Sequence, residues 1–167
     1  MIVTFVAAQS EDGIIAQEGR IPWHLPDEIA HFRRCCEGKW LLAGRRTWEQ
    51  MQGWFRPGQT PVVMTRNAAL EVPGGYAVTS VEAGLALAAR QGAQELMVIG
   101  GGEIYTAALP FADKLILTTV HTKLGNGTRF PSIEPSQWRE TARVFHEADA
   151  RHTFAFTIRV LQAFPNK

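Results

Sequence analysis

Three glycines stand in a row where an apolar strand hands over to a helix, at Ile99-Gly100-Gly101-Gly102 before Glu103. With no Cβ at three successive positions a ligand can approach the backbone closely. The first N–H groups of the helix that follows are unpaired and lie at the positive end of its dipole. A phosphate suits that arrangement better than a plain turn does, since a turn rarely needs three glycines. The run is neither the spaced G-x-G-x-x-G fingerprint nor a P-loop, because no Lys-Ser/Thr follows. A second strand–glycine–helix passage, Gly44-Arg45-Arg46-Thr47, adds guanidinium groups able to grip phosphate oxygens in pairs. For Arg34 and Lys39 nearby, a solvated basic rim is the simpler reading. Arg45 and Arg46 follow the carboxyl end of a strand, where α/β sheets bind ligands. Arg66, just past the strand Pro61 to Thr65, can join them.

The remaining candidate is an acid. Glu28 and Phe32 are four apart on a helical pattern, so they share a face, with Ile29 beside them. A carboxyl group facing a pocket loses solvation for its charged form, which raises its pKa and suits it to proton chemistry. Spacing alone does not separate it from Asp27, and a solvated first-turn acid accounts for either. No Ser-His-Asp or Cys-His pattern has usable context. The five histidines are scattered without metal-ligand spacing, so no metal is expected.

The elements that would hold these groups read from apolar runs punctuated by Gly and Pro. Ile2 to Ala8 is a buried strand, and a helix follows Leu25-Pro26-Asp27-Glu28 and closes at Gly38. Next come a strand Lys39 to Ala43, a short helix around Thr47 to Met51, and the strand Pro61 to Thr65. A strand Tyr76 to Thr79 leads to a helix near Val81 to Gln91, capped by Ser80 and ended by Gly92. Glu95 to Ile99 is a strand, a helix runs on to Leu109, and Leu115 to Val120 is a strand again. The tail alternates with period two from Thr153 to Val160, pairing with Arg139 to Ala148 as a hairpin around Asp149-Ala150-Arg151. The expected class is α/β: one domain over 1–167, a central mixed, mostly parallel sheet with a C-terminal antiparallel hairpin, and four flanking helices.

Composition agrees. One domain is the prior for 167 residues, and 46% hydrophobic with 20% charged residues excludes a disordered or fibrous chain. A net charge of +1 argues against broad nucleic-acid or anionic-membrane binding. Adjacent Cys35 and Cys36 make no disulfide framework, and no stretch approaches a membrane span, so a cytoplasmic protein is expected.

Five motifs in order resemble a bacterial-type dihydrofolate reductase from Val3 to about Val160. They are Val6-Ala7-Ala8, Ile21-Pro22-Trp23-His24-Leu25-Pro26-Asp27-Glu28, Gly44-Arg45-Arg46-Thr47-Trp48-Glu49, Val98-Ile99-Gly100-Gly101-Gly102-Glu103-Ile104-Tyr105, and Thr128-Arg129-Phe130-Pro131. The resemblance implies reduction of 7,8-dihydrofolate by NADPH in one-carbon metabolism, with hydride to pterin C6 and a proton to N5. Catalytic roles would fall to Glu28, Trp23 and Thr118, the last two holding water around the acid. The substrate would be bound by Val6, Glu28, Phe32, Arg33, Met51, Gln59, Ile99, Tyr105 and Thr118. The nicotinamide end of the cofactor would lie on Ala8, Ile15, Ile99 and Tyr105. Its phosphates would lie on Gly44, Arg45, Arg46, Thr47 and Gly100 to Gly102, with Glu103 and Ile104 beside them, and its 2′-phosphate near Thr65 and Arg66. A cis bond at Gly100–Gly101, a monomer and binding of antifolate inhibitors are also implied.

Three departures stand out. Pro57-Gly58-Gln59 has Gln where the family has the Arg that binds the folate α-carboxylate, so Arg33 or Arg56 is expected to compensate. Ala16 and Ile21 replace Gly and Met in the loop over the nicotinamide. Gly127 replaces an Asp that ties that loop closed. Two alternatives remain: an NADPH- or folate-binding module without turnover, favoured by Gln59, and a pterin or ribosylaminopyrimidine reductase of the same fold, against which Glu28 argues.

Overall fold

The computed structural model describes residues 1–165. In chain order the elements are β1 (Ile2–Ser10), β2 (Ile14–Ala16), α1 (Pro26–Cys36), β3 (Trp40–Gly44), α2 (Arg45–Gln50), β4 (Thr60–Met64) and β5 (Tyr76–Val78). Then follow α3 (Val81–Arg90), β6 (Glu95–Gly100), α4 (Gly102–Ala108), β7 (Lys114–Val120), β8 (Thr128–Arg129), β9 (Trp138–His146) and β10 (Phe156–Ala163). Eight strands form one sheet in the order β5-β4-β3-β6-β1-β7-β10-β9, and β2 pairs with β8 apart from it. The first six strands in that order run parallel, while β10 joins β7 and β9 antiparallel.

Alternation along buried strands divides the core between two faces. Phe5, Leu96, Val98, Leu115 and Leu117 pack with Ala88 of α3 and Ile104 and Tyr105 of α4. Val6, Met97 and Ile99 point the other way and pack with Cys36 of α1 and Trp48 of α2. From β1 the chain crosses by α1 to β3 on one side, whereas from β6 it crosses by α4 to β7 on the other. The order therefore reverses between β1 and β6, and the carboxyl ends of the strands at such a switch point are where sheets of this class bind ligands.

The class and the four helices stand as the sequence implies, with shifts at element ends. α2 begins at Arg45, with Gly44 as its N-cap, rather than around Thr47. Ser80 caps α3 by accepting the Ala83 N–H at 3.0 Å. The last strand begins at Phe156, not Thr153, because an Asp149–His152 bridge folds the connection into a turn that uses the residues before it. A bulge at Val160/Leu161 shifts its pairing with β9. The β2–β8 ribbon was not foreseen: two or three residues leave too short a pattern to read. The Gly100–Gly101 peptide is cis. No helix among the described residues is long and apolar enough to cross a membrane.

Candidate active site

α1 sets the acid. Its first turn carries Asp27 and Glu28, and the helix is rotated so that the two part company. Asp27 stays half-exposed, with Oδ2 2.8 Å from His146 Nε2. Glu28 turns inward and keeps only 8% of its surface. Burial alone, with no cation beside it, pushes its carboxyl up to about 7. Of the two acids that spacing left open, Glu28 is the one whose burial brings its change of charge near neutrality.

The apolar residues expected around a flat heterocycle do come together. Val6, Phe32, Met51 and Ile99 belong to the cluster on the α1 face. Trp54 and Phe55 join them, with Trp54 5.4 Å from Phe32 and edge-on to Phe55. The sequence reading passed over this pair, although two aromatics in a Gly/Pro-bounded loop were its signal. Thr118 is buried on β7, level with Ala8 of β1 and Ile158 of β10. Trp23, just ahead of α1, has a buried Nε1–H with no acceptor among the described residues. Buried N–H groups are seldom left so, and this one suits a bound water. Tyr105 is buried and donates its hydroxyl to the Val6 carbonyl at 2.7 Å, so that carbonyl offers one remaining lone pair rather than two. Burial raises the Tyr105 pKa, and this phenol stays protonated.

The two glycine turns lie side by side because β3 and β6 are neighbours, with Ala43 opposite Gly100. Ile104 fills the space over Gly44, 3.1 Å from where a Cβ would stand. A Cβ at Gly102 would meet the Thr128 methyl at 2.8 Å. Neither α2 nor α4 has a side-chain cap, so their first amides are left for a ligand or water. Arg45 and Arg46 are exposed in the first turn of α2, Arg45 within 3.4 Å of Glu49, and Thr47 is half-buried below them. Glu103 is exposed in the first turn of α4, where the dipole favours an acid. Thr65 is buried and its hydroxyl accepts the Asn67 N–H at 3.1 Å, while Arg66 is exposed. Ile15 and Ala8 are partly buried, and Ile15 Cδ1 lies 3.7 Å from where a Cβ of Gly102 would stand.

The departures acquire structural meaning. Gln59 accepts the Arg56 N–H at 2.8 Å and donates to the Cys36 carbonyl at 3.0 Å, pinning the loop before β4 to the end of α1. Arg56 Nη1 donates to the carbonyls of Gly53, Trp54 and Phe55. Arg33 stands exposed on the last turn of α1. At Gly127, φ is +136° and a Cβ would run into the Ala16 carbonyl and the Ile14 methyl group, so no side chain fits there. The loop is tied in other ways. Gln17 Nε2 donates to the Asn126 carbonyl at 3.0 Å, and Gln50 Nε2 to the Gly19 carbonyl at 2.9 Å. Asp12 accepts from the amides of Leu124 and Gly125, which with Ser10 hold its carboxyl below the usual range.

The histidines are not all scattered in space. His146 and His152 meet Asp27, with donor atoms within 4.8 Å of one another. Sequence spacing gave no hint, since Asp27 lies far from both along the chain.

A family model described as dihydrofolate reductase matches residues 2–163. The chain is 37% identical over 155 residues to a dihydrofolate reductase type 3 of Salmonella typhimurium, covering 93% of this chain and 94% of that one. It is 34% identical over 155 residues to a dihydrofolate reductase of Neisseria meningitidis, covering 92% and 94%. Among solved structures it resembles a dihydrofolate reductase from Enterococcus faecalis complexed with NADP(H) and RAB-propyl, with TM-score 0.86, 30% identity, and 99% and 97% of the two chains covered.

Proposed function

The chain belongs to the dihydrofolate reductase family, and from that premise we infer that it is an NADPH-dependent oxidoreductase that reduces 7,8-dihydrofolate to tetrahydrofolate, with Glu28 as the acid that binds the pterin. The observation that carries the assignment is the buried carboxyl of Glu28 in the first turn of α1, raised to about 7 by desolvation.

The residues divide the work as follows. Glu28 presents two oxygens to the parallel donors of the pterin N3 and 2-amino edge, a bidentate contact that fixes the ring. Its negative charge, in a site with little water, favours a proton on N5. The Trp23 indole N–H and Thr118 hydroxyl hold water beside the carboxylate, which brings the proton from solvent. Val6, Phe32, Met51, Ile99 and Trp54 enclose the flat rings and exclude bulk water. Tyr105 packs behind the glycine run, its hydroxyl tied to Val6.

NADPH, when bound, supplies the hydride for C6. The glycine turns fit that cofactor: Gly101 and Gly102 and the amides of the first turns of α2 and α4 would take its phosphates together with Arg45, Arg46 and Thr47. Arg66 beyond β4 would take the 2′-phosphate, with Thr65 beside it. The folate glutamate would meet Arg33, because Gln59 and Arg56 are already bound to the loop around them.

The test is the near-ultraviolet absorbance of NADPH on mixing with protein and dihydrofolate. Loss that requires both ligands supports the enzyme; binding of NADPH without loss would leave only a binding module.

A further inference from the structure

Helix α1 lacks an ordinary N-terminal cap: Leu25 at the N-cap offers no side-chain acceptor. The Asp27 N–H is accepted instead by His152 Nε2, at 3.0 Å, from the turn between β9 and β10. His152 retains 1% of its surface. Because its Nε2 accepts, its proton sits on Nδ1, which donates to Asp149 Oδ1 at 2.8 Å. Asp149 thereby sets the tautomer of the ring. The second imidazole differs. His146 Nδ1 faces the Glu147 carbonyl at 2.7 Å and Nε2 faces Asp27 Oδ2 at 2.8 Å. Both partners favour the protonated ring and hold its pKa above the usual imidazole value, and the ring is stacked on Phe156 at 4.5 Å.

We propose that His152 is a positioning residue for Glu28: by accepting the Asp27 amide it fixes the first turn of α1 and so the direction and burial of the adjoining carboxylate. The proposal rests on the reading of Glu28 given above. Without the cap the first turn frays, water reaches the carboxylate, and Glu28 ionises at lower pH. The groups facing His152 are Asp27, Asp149 and His146, with Arg151 3.7 Å from Asp27 Oδ1. Those coupled to Glu28 are Tyr105 on α4 and Cys35 on its own helix.

Two substitutions separate the ring's nitrogens. His152→Gln can place an acceptor near the Nε2 position; His152→Asn keeps only the group near Nδ1. Steady-state kcat and KM for dihydrofolate are measured across pH, where kcat/KM reports ionisations of the free enzyme. The Asn variant is expected to move the break belonging to Glu28 about one pH unit toward acid and to raise KM several-fold, and the Gln variant to restore both. General loss of stability would lower Tm without moving the break. An unmoved break in the Asn variant, or equal shifts in both, overturns the proposal. Asp149→Ala, at the exposed end of the cluster, is expected to shift the break in the same direction by less; if the Asn variant does not fold, an unmoved break here overturns the proposal instead. Glu28→Gln in the same series keeps the two ideas apart. If it retains the break, the reading of Glu28 fails, whatever the His152 variants do.

Discussion

The proposed role of Glu28 rests on a single carboxyl group, and its energetics make it testable apart from turnover. Glu28 has a folded-state pKa of about 7 against 4.5 for the free side chain. Between those values the folded chain binds more protons than the unfolded one, so stability falls as pH rises through that window. The ionised carboxyl then costs up to about 3 kcal/mol above neutrality. Glu28→Gln should accordingly raise Tm at about pH 8 and change it little at about pH 4, as read by thermal unfolding. An equal shift at both would mean that the acid is not desolvated. Arg33 makes a second claim at this scale. Arg33→Ala should raise KM for dihydrofolate about tenfold with kcat unchanged, since a carboxylate anchor remote from C6 contributes uniform binding. Arg56→Ala should lower Tm first, because Arg56 holds the carbonyls of the Gly53–Phe55 turn.

Among the elements, those that place the site were legible where their signals are local. The glycine turns at Gly44 and Gly100–Gly102, the Ser80 cap and the apolar strands all read from residues within a few positions of each other. The inward turn of Glu28 did not, because the partners of α1's first turn, His146 and His152, lie more than a hundred residues away. The loop ties were hidden for the same reason: Gln17 and Asp12 reach across to 124–126. Gly127 was noticed only as a missing carboxylate, whereas the structure shows a backbone passage with no room for Cβ. Gly127→Asp should therefore not restore a loop tie. It should destabilise the chain by about 1–3 kcal/mol and lower kcat, as the β2–β8 ribbon moves to relieve the collision. A variant with unchanged Tm and kcat would contradict that packing.

Across the whole molecule, the strand order reverses between β1 and β6, and the proposed site draws on two kinds of binding chemistry. The acid and the aromatic wall come from the α1 face, and the glycine turns come from β3 and β6. The chain's net charge of +1 gives no general pull on anions, so cofactor affinity must come from placed cations. Arg66→Ala should raise KM for NADPH about tenfold and leave KM for NADH unchanged, which separates a 2′-phosphate contact from a general basic rim. Equal effects on both would move Arg66 out of the site.

The most direct measurement is the rate of NADPH oxidation by Glu28→Gln with saturating dihydrofolate, followed from about pH 5 to pH 8 beside the unaltered enzyme. An amide keeps the shape but holds no charge to favour protonation at N5. The rate should fall about a hundredfold or more near neutrality and recover toward acid, where solvent protonates the pterin directly. A variant as fast as the unaltered enzyme near neutral pH would contradict the assignment of Glu28.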